Sequence, residues 1–221
     1  MSKSIVKFIG LFFSTVVVIG LFVYQNKADF INAKFFKHLS QHELEETQLE
    51  YFQRIGKTDR QIRFDTYTTI GLNALSVMPF VFSVITKNPI MYITYSGSIV
   101  CASAIAAFGK KIFKEARPDD QNDLTSFPSG HSTLAFNAAS VFLLCARRKK
   151  YRTVFGCLFT LTAILVAVGR VLANRHWPVD VLAGMAIGCL SASLSYLIVG
   201  KINAKLKLFK YNNAVVDKAD I

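Results

Sequence analysis

Long apolar runs separated by short polar segments dominate this 221-residue chain, of which 52% is hydrophobic. A helix that crosses a bilayer needs about 20 mostly apolar residues, with a lower limit of about 17. Six runs approach or meet that length, and the fourth and fifth are short. The pattern predicts an all-α fold, a polytopic six-transmembrane-helix bundle forming a single domain over residues 1–221, with spans at about 5–24, 67–86, 89–108, 129–146, 152–169 and 181–200.

The first apolar run, 5–24, could be mistaken for a secretory signal because Lys3 and Lys7 give it a basic start. Such signals have an apolar region of about 7–15 residues followed by a cleavage site of small residues. Here the apolar stretch is longer and passes into Gln25 and Asn26 without a site of that kind. We therefore predict an uncleaved membrane anchor.

The net charge of +12 could suggest nucleic acid as a partner. The basic residues are confined to the loops and ends, however, and the sequence carries no nucleic-acid-binding motif. Basic loops tend to remain on the cytoplasmic side of a membrane. The basic turn 147–152 and the basic tail after residue 200 therefore predict a membrane protein with cytoplasmic N- and C-termini and no nucleic-acid partner.

The long polar segment 25–66 balances seven basic residues against seven acidic ones, which predicts an extracytoplasmic connector. The same orientation places three polar clusters, 110–118, 128–131 and 170–180, at the outer mouth of the bundle. An ionisable side chain in hydrocarbon costs roughly 2.5–3.5 kcal/mol or more. Two arginines, a lysine, two histidines and a carboxylate gathered there predict a site for an anion, with phosphate as the best match.

In the first cluster, Lys110 and Arg117 are seven residues apart, or two turns of helix, so both can point from one face. Arg117 offers a planar fork for two phosphate oxygens, and Lys110 offers a point charge. Pro118 is predicted to end this helix. The alternative is that these are ordinary basic residues at a membrane edge.

The second cluster, Pro128-Ser129-Gly130-His131, stands at the start of the fourth span. A helix N-terminus is an anion site because of its free backbone N–H groups and the helix dipole. Ser129 can donate its hydroxyl, Gly130 allows close approach of the backbone, and His131 can give a proton to a leaving oxygen. The alternative is a serine N-cap beside an incidental histidine.

The third cluster, Arg170, His176 and Asp180, has the spacing R-x5-H-x3-D. If the turn between His176 and Asp180 is helical, the carboxylate can reach the imidazole, and Pro178 fits the first turn of such a helix. A carboxylate on one ring nitrogen leaves the other free as a nucleophile. Arg170 adds a third cation for phosphate.

Other candidates for chemistry are weak. Cys101, Cys145, Cys157 and Cys189 lie within apolar spans without metal-ligand spacing, which predicts buried thiols. No metal-binding cluster of carboxylates is present in the sequence either, and we predict no metal site and no cofactor. Asp119, Asp120 and Asp123 are predicted to form a solvated acidic loop, with selection of a headgroup as the alternative.

The ordered motifs K-x6-R-P, P-S-G-H and R-x5-H-x3-D resemble the three signatures of the type-2 phosphatidic acid phosphatase superfamily. One departure is Gly169, where that family usually has serine. The resemblance implies a metal-independent lipid phosphatase in which His176 forms a phosphohistidine, Asp180 orients it and His131 protonates the leaving group. It also implies that the phosphate oxygens are held by Lys110, Arg117, Ser129, Gly130 and Arg170.

Among small bacterial proteins, the resemblance implies an envelope lipid as substrate: lipid A, undecaprenyl diphosphate or phosphatidylglycerol phosphate. The expected location is the bacterial inner membrane, with the active site at its outer face. A phosphotransferase using the same phosphohistidine and a non-catalytic lipid-binding protein remain alternatives. A similar haloperoxidase site occurs on soluble relatives, whereas this chain is predicted to be membrane-embedded. The sequence does not specify an oligomeric state.

Overall fold

The computed structural model describes residues 59–206, which form five α-helices and no strands. The all-α prediction is confirmed for this part of the chain. The predicted span 5–24, both termini and most of the connector 25–66 lie outside the described residues. The helices are α1 (Asp59–Ile85), α2 (Pro89–Phe113), α3 (Gly130–Cys145), α4 (Lys149–Leu172) and α5 (Pro178–Leu206).

Four of these helices, α1, α2, α4 and α5, are long and apolar enough to cross a membrane. The fourth predicted span corresponds to α3, whose 16 residues reach only about 24 Å at 1.5 Å per residue. A hydrocarbon core is about 30 Å thick, so α3 is shorter than a full span. Most of α3 is buried among the other helices. The long apolar helices fit a multi-pass membrane protein.

Helix α1 begins at Asp59, eight residues before the predicted start of that span. The last part of the predicted connector is therefore helical, and Asp65 lies on α1. At the other end, α2 begins at Pro89 and is capped by Asn88, whose side chain accepts from the Met91 backbone N–H. The same side chain donates to the Cys145 carbonyl, which joins the start of α2 to the end of α3.

The prediction that the helix continues to Arg117 and ends at Pro118 is wrong. Helix α2 ends at Phe113, because Lys114 adopts a left-handed conformation (φ 46°) and donates its backbone N–H to the Lys110 carbonyl. The chain then turns back, and the Ser126 backbone N–H donates to the Glu115 carbonyl. Arg117 therefore reaches the site from a loop.

Helix α3 packs against α5 at unusually short range because two glycines of α5 face its backbone. A Cβ at Gly184 would lie 2.6 Å from the Ser129 carbonyl oxygen, and one at Gly188 would lie 2.3 Å from the Thr133 carbonyl oxygen. Either methyl would force the helices apart. This contact fixes the first turn of α3 against the first half of α5, and both elements carry predicted site residues.

Candidate active site

The three polar clusters meet at one end of the bundle. Helices α2 and α4 end there, and α3 and α5 begin there. A backbone hydrogen bond of 3.0 Å from the Ser129 N–H to the Asp180 carbonyl joins the starts of α3 and α5. His131 lies within electrostatic range of Arg117, Arg170 and His176. The structure thus brings together side chains from all three motifs.

His176 and Asp180 lie side by side beneath the surface. His176 is 3% exposed, in the loop between α4 and α5, and Asp180 is fully buried in the first turn of α5. The His176 Nδ1 is 3.6 Å from the Asp180 Oδ2, which is longer than a hydrogen bond. The intervening chain is not fully helical, since α5 begins only at Pro178. The predicted pairing is therefore a close approach of the ring to the carboxylate without a hydrogen bond.

Two other groups fix the Asp180 carboxylate. Its Oδ2 accepts from the Trp177 backbone N–H at 2.9 Å and from the Ser126 hydroxyl at 2.5 Å. Ser126 comes from the loop after α2, so this carboxylate ties that loop to α5. The carboxylate keeps its place beside His176 without depending on the imidazole.

Burial lowers the pKa of His176 to about 4, even though the Asp180 carboxylate opposes the shift. Positive charges on Arg170 and Arg117 act in the same direction as burial. The imidazole is therefore neutral near pH 7. A neutral imidazole keeps a lone pair on one ring nitrogen, which is the form required for attack on phosphorus.

Ser129, Gly130 and His131 form the first turn of α3. Ser129 is its N-cap, and the hydroxyl accepts from the Ser132 backbone N–H at 3.4 Å. A Cβ at Gly130 would have no atom within 4 Å, so the backbone is uncovered at this point. The His131 Nε2 lies 3.4 Å from the Thr69 hydroxyl of α1. The N-cap alternative for Ser129 is thus correct as a description of its local contacts.

Lys110 and Arg117 converge on Thr125 although they do not share a helix face. The Lys110 Nζ donates to the Thr125 carbonyl, and Arg117 donates to the Thr125 hydroxyl at 3.0 Å. The Arg117 Nε is also 2.9 Å from the Asp123 carboxylate. Burial and the nearby Arg175 charge lower the pKa of Arg117 from its usual value. The two cations therefore lie in a crowded positive region.

Arg170 is part of a chain of alternating charges. It is 3% exposed and donates to the Asp65 carboxylate, while the Thr68 hydroxyl lies 3.5 Å from its Nη1. The other Asp65 oxygen is 3.2 Å from the Arg175 Nε, and Arg175 donates to Asp119 at 3.1 Å. Asp65 thus holds both guanidinium groups.

Three members of this network were not among the predicted site residues. Asp65 was assigned to the connector, and Arg175 lies between the fixed positions of the third motif. The solvated-loop prediction is wrong for Asp119, whose side chain is 5% exposed and pairs with Arg175. Of the three, only Arg175 could have been suspected from the sequence, because it is a basic residue directly before His176.

Several buried polar atoms of the site have no hydrogen-bond partner. They include the Arg170 Nε, the His176 Nδ1 and the Asp180 Oδ1. Leaving a buried donor or acceptor unsatisfied costs about 1–3 kcal/mol. An anion with several oxygens would supply acceptors for the arginine donor. The arrangement can therefore hold a phosphate group next to a neutral histidine.

Several known proteins with similar sequences are named as phosphatases of lipid phosphates. The chain is 40% identical over 91 residues to a lipid A 1-phosphatase of Porphyromonas gingivalis, covering 41% of this chain and 20% of the relative. It is 38% identical over 78 residues to a putative undecaprenyl-diphosphatase of Escherichia coli, covering 34% of this chain and 37% of the relative. The chain therefore matches between a fifth and just over a third of the length of these two relatives.

Among solved structures, LpxE of Aquifex aeolicus is similar, with 26% identity and a TM-score of 0.47 over 66% of this chain and 93% of that chain. The family itself is shown by a family-wide sequence model. The model of the PAP2 superfamily covers residues 91–204, which is 114 of the 221 residues and includes all three motifs. The protein belongs to the PAP2 superfamily.

Proposed function

We propose that this protein removes a phosphate group from a membrane lipid phosphate, without a metal ion, through a phosphohistidine formed on His176. The main support is the neutral, buried His176 beside Asp180, at the point where cations from three separate segments converge. These cations carry out the charge stabilisation that a metal ion would otherwise provide. The names of the relatives support a lipid phosphate as substrate.

In the first step, the free nitrogen of His176 attacks phosphorus in line with the bond to the leaving oxygen. The new N–P bond forms as the P–O bond to the lipid breaks. His131, held in its protonated form by the negative charge of the bound phosphate, gives its proton to the departing oxygen. Asp180 stabilises the positive charge that develops on the His176 ring. In the second step, water donates a proton to His131 and attacks phosphorus, which releases inorganic phosphate and restores His176.

The predicted phosphate-binding groups are Lys110, Arg117, Ser129, Gly130 and Arg170. Charge on the three equatorial oxygens grows in the transition state, so fixed cations there lower the barrier. Arg117 and Arg170 pair with Asp123 and Asp65 in the structure. A doubly charged phosphate would compete with these single carboxylates for the guanidinium donors. Before the substrate binds, the two carboxylates keep the guanidinium groups in position.

The substrate we propose is a bacterial envelope lipid, namely lipid A, undecaprenyl diphosphate or phosphatidylglycerol phosphate. The proposed location is the bacterial inner membrane, with the site on its outer face. An embedded site lets the lipid tail remain in the bilayer while the headgroup reaches the cations.

We expect the purified full-length protein in detergent to release phosphate from at least one of these lipids in excess EDTA. Within residues 59–206, no group of three His, Cys, Asp or Glu side chains lies close enough to hold a metal ion. Phosphate release would be measured across the panel, with His176→Ala as the inactive control. Loss of activity on chelation and its return with Mg²⁺ would contradict metal-independent turnover. Transfer of labelled phosphate to another lipid, without release, would indicate a phosphotransferase.

Replacing Arg175 with alanine is expected to raise KM by about tenfold or more and to change kcat less, since hydrogen bonds to charged groups contribute roughly 1.5–3 kcal/mol. Without Arg175, Asp65 would pair with Arg170 alone and compete more strongly with phosphate. Arg175→Lys should recover only part of the loss because lysine lacks the planar fork. The measurement is steady-state kinetics on the best lipid of the panel.

A matched control is Lys150→Ala, which removes one positive charge about 30 Å along α4 from Arg170. It should leave KM near the wild-type value. An equal increase in KM for both variants would indicate a general effect of net charge. An unchanged KM in Arg175→Ala would show that Arg175 does not contribute to substrate binding.

A further inference from the structure

An apolar groove lies between α1 and α4, directly beside Arg170. It encloses about 320 Å³ and is lined by residues of α1 between Phe64 and Gly71 and of α4 between Thr162 and Leu172. The α4 part extends about 15 Å along the helix. Neither the phosphate site nor the proposed chemistry uses this groove.

Glycines on both helices shape the groove. A Cβ at Gly169 would lie 2.2 Å from the Thr68 Cγ2, so the two helices touch at this point only because residue 169 has no side chain. Further from the site, a Cβ at Gly71 would lie 3.2 Å from the Val166 Cγ2 and 4.0 Å from the Thr162 Cγ2. A larger side chain at Gly71 would therefore extend into the groove.

The groove is continuous with the predicted phosphate site. Thr68 lines it, and the hydroxyl of the same residue lies 3.5 Å from the Arg170 Nη1. Gly169 also lines it and directly precedes Arg170 in the sequence. A molecule lying in the groove would therefore have one end against the buried arginine.

Within the bundle formed by residues 59–206, the groove is also open to the side. Leu165 is 60% exposed and Tyr67 is 63% exposed, although both line the groove. Both helices are long and apolar enough to cross a membrane, so this side faces hydrocarbon when they do. A lipid chain can then enter the groove from the bilayer without crossing water.

We propose that this groove holds a hydrocarbon chain of the lipid phosphate substrate and aligns its phosphate with Arg170 and His176. The inference rests on the proposed function and adds the place where the lipid tail binds. In a bilayer, moving a chain from lipid to protein brings little hydrophobic gain. The contribution is therefore positional: a chain fixed in the groove orients the phosphate for in-line attack, and misplacement lowers the rate.

The kinetic test fills the groove with Gly71→Leu and, as a second variant that leaves the glycine intact, Thr162→Leu. The substrates are a long-chain lipid phosphate and a short-chain, water-soluble analogue with the same headgroup. We expect the ratio of kcat/KM on the long chain to that on the short chain to fall by about tenfold or more in both variants. Leucine is a better helix former than glycine, so Gly71→Leu should not weaken α1 itself.

The matched control is Gly200→Leu, the same substitution on α5 at a position where a Cβ meets no atom within 4 Å. It should keep the wild-type ratio. A wild-type ratio in folded Gly71→Leu and Thr162→Leu would overturn the groove as the tail site, while leaving the proposed hydrolysis intact.

A binding measurement separates failure of the groove from failure of the proposed function, because it does not require turnover. A lipid phosphate with a photoreactive group in its acyl chain would be cross-linked to the full-length protein in detergent, and the labelled peptides would be identified by mass spectrometry. We expect label in 64–71 and 162–172, displaced by excess unlabelled lipid phosphate. Label confined to other segments would overturn the inference even if no lipid is hydrolysed.

Discussion

Replacing His176 with alanine is expected to lower kcat by about four orders of magnitude or more, since loss of a nucleophile removes the covalent route entirely. The remaining cations can still bind and polarise phosphate, so KM should change much less. The measurement is phosphate release from the best lipid under single-turnover conditions. A second readout is the intermediate: rapid quenching of the wild type with radiolabelled substrate should trap a protein-bound phosphoryl group that is labile in acid and stable in base, as expected for an N–P bond.

The control for this experiment is His42→Ala, which removes a histidine outside the three motifs. It should retain both turnover and the trapped intermediate. His176→Ala should show neither, while keeping the thermal unfolding profile of the wild type in detergent. A variant without His176 that still turns over within about tenfold of the wild type would exclude it as the nucleophile.

The apolar pattern predicted the helices because span length is a local property of the sequence. All five described helices coincide with predicted spans, and Ser129 and Pro178 mark the starts of α3 and α5 as expected. The role of α3 was less predictable. Its composition is as apolar as that of a span, but its 16 residues are enclosed by neighbouring helices, and this depends on contacts between distant segments.

The prediction for Lys110 and Arg117 failed because periodicity alone does not locate a helix end. Seven residues match two turns, yet the helix stops at Phe113. The loop after it is held by contacts to residues much later in the chain, including the hydrogen bond from Ser126 to Asp180. The two cations still converge, through Thr125, by a route that spacing could not indicate.

The carboxylates around the arginines were the least predictable part of the site. Asp65 and Arg170 are 105 residues apart in sequence and meet only because α1 packs against α4. Gly169 makes this packing possible, since any side chain there would collide with Thr68. Glycine in place of the usual serine at position 169 therefore allows the close packing of α1 on α4 that brings Asp65 to Arg170. In the proposed mechanism, an arginine that is already fixed in position before the substrate binds needs less reorganisation in the transition state.

Replacing His131 with alanine is expected to lower kcat by about 10²–10⁴-fold on a lipid monophosphate, the usual range for loss of a general acid or base. The size of the effect should depend on the leaving group. The lipid alcohol leaves as an unstable alkoxide unless it is protonated, so the rate of the first step should fall most on the lipid substrate. Nitrophenyl phosphate has a leaving group that is stable as an anion, so the rate of its first step should fall far less. The measurement compares His131→Ala with the wild type on both substrates, with the trapped phosphohistidine followed in parallel. On nitrophenyl phosphate the variant should accumulate the intermediate, because His131 is also the base for the attacking water. An equal loss of kcat on both substrates, with no accumulation of the intermediate, would instead assign His131 a structural role. In that case its contact with Thr69 would join the start of α3 to α1.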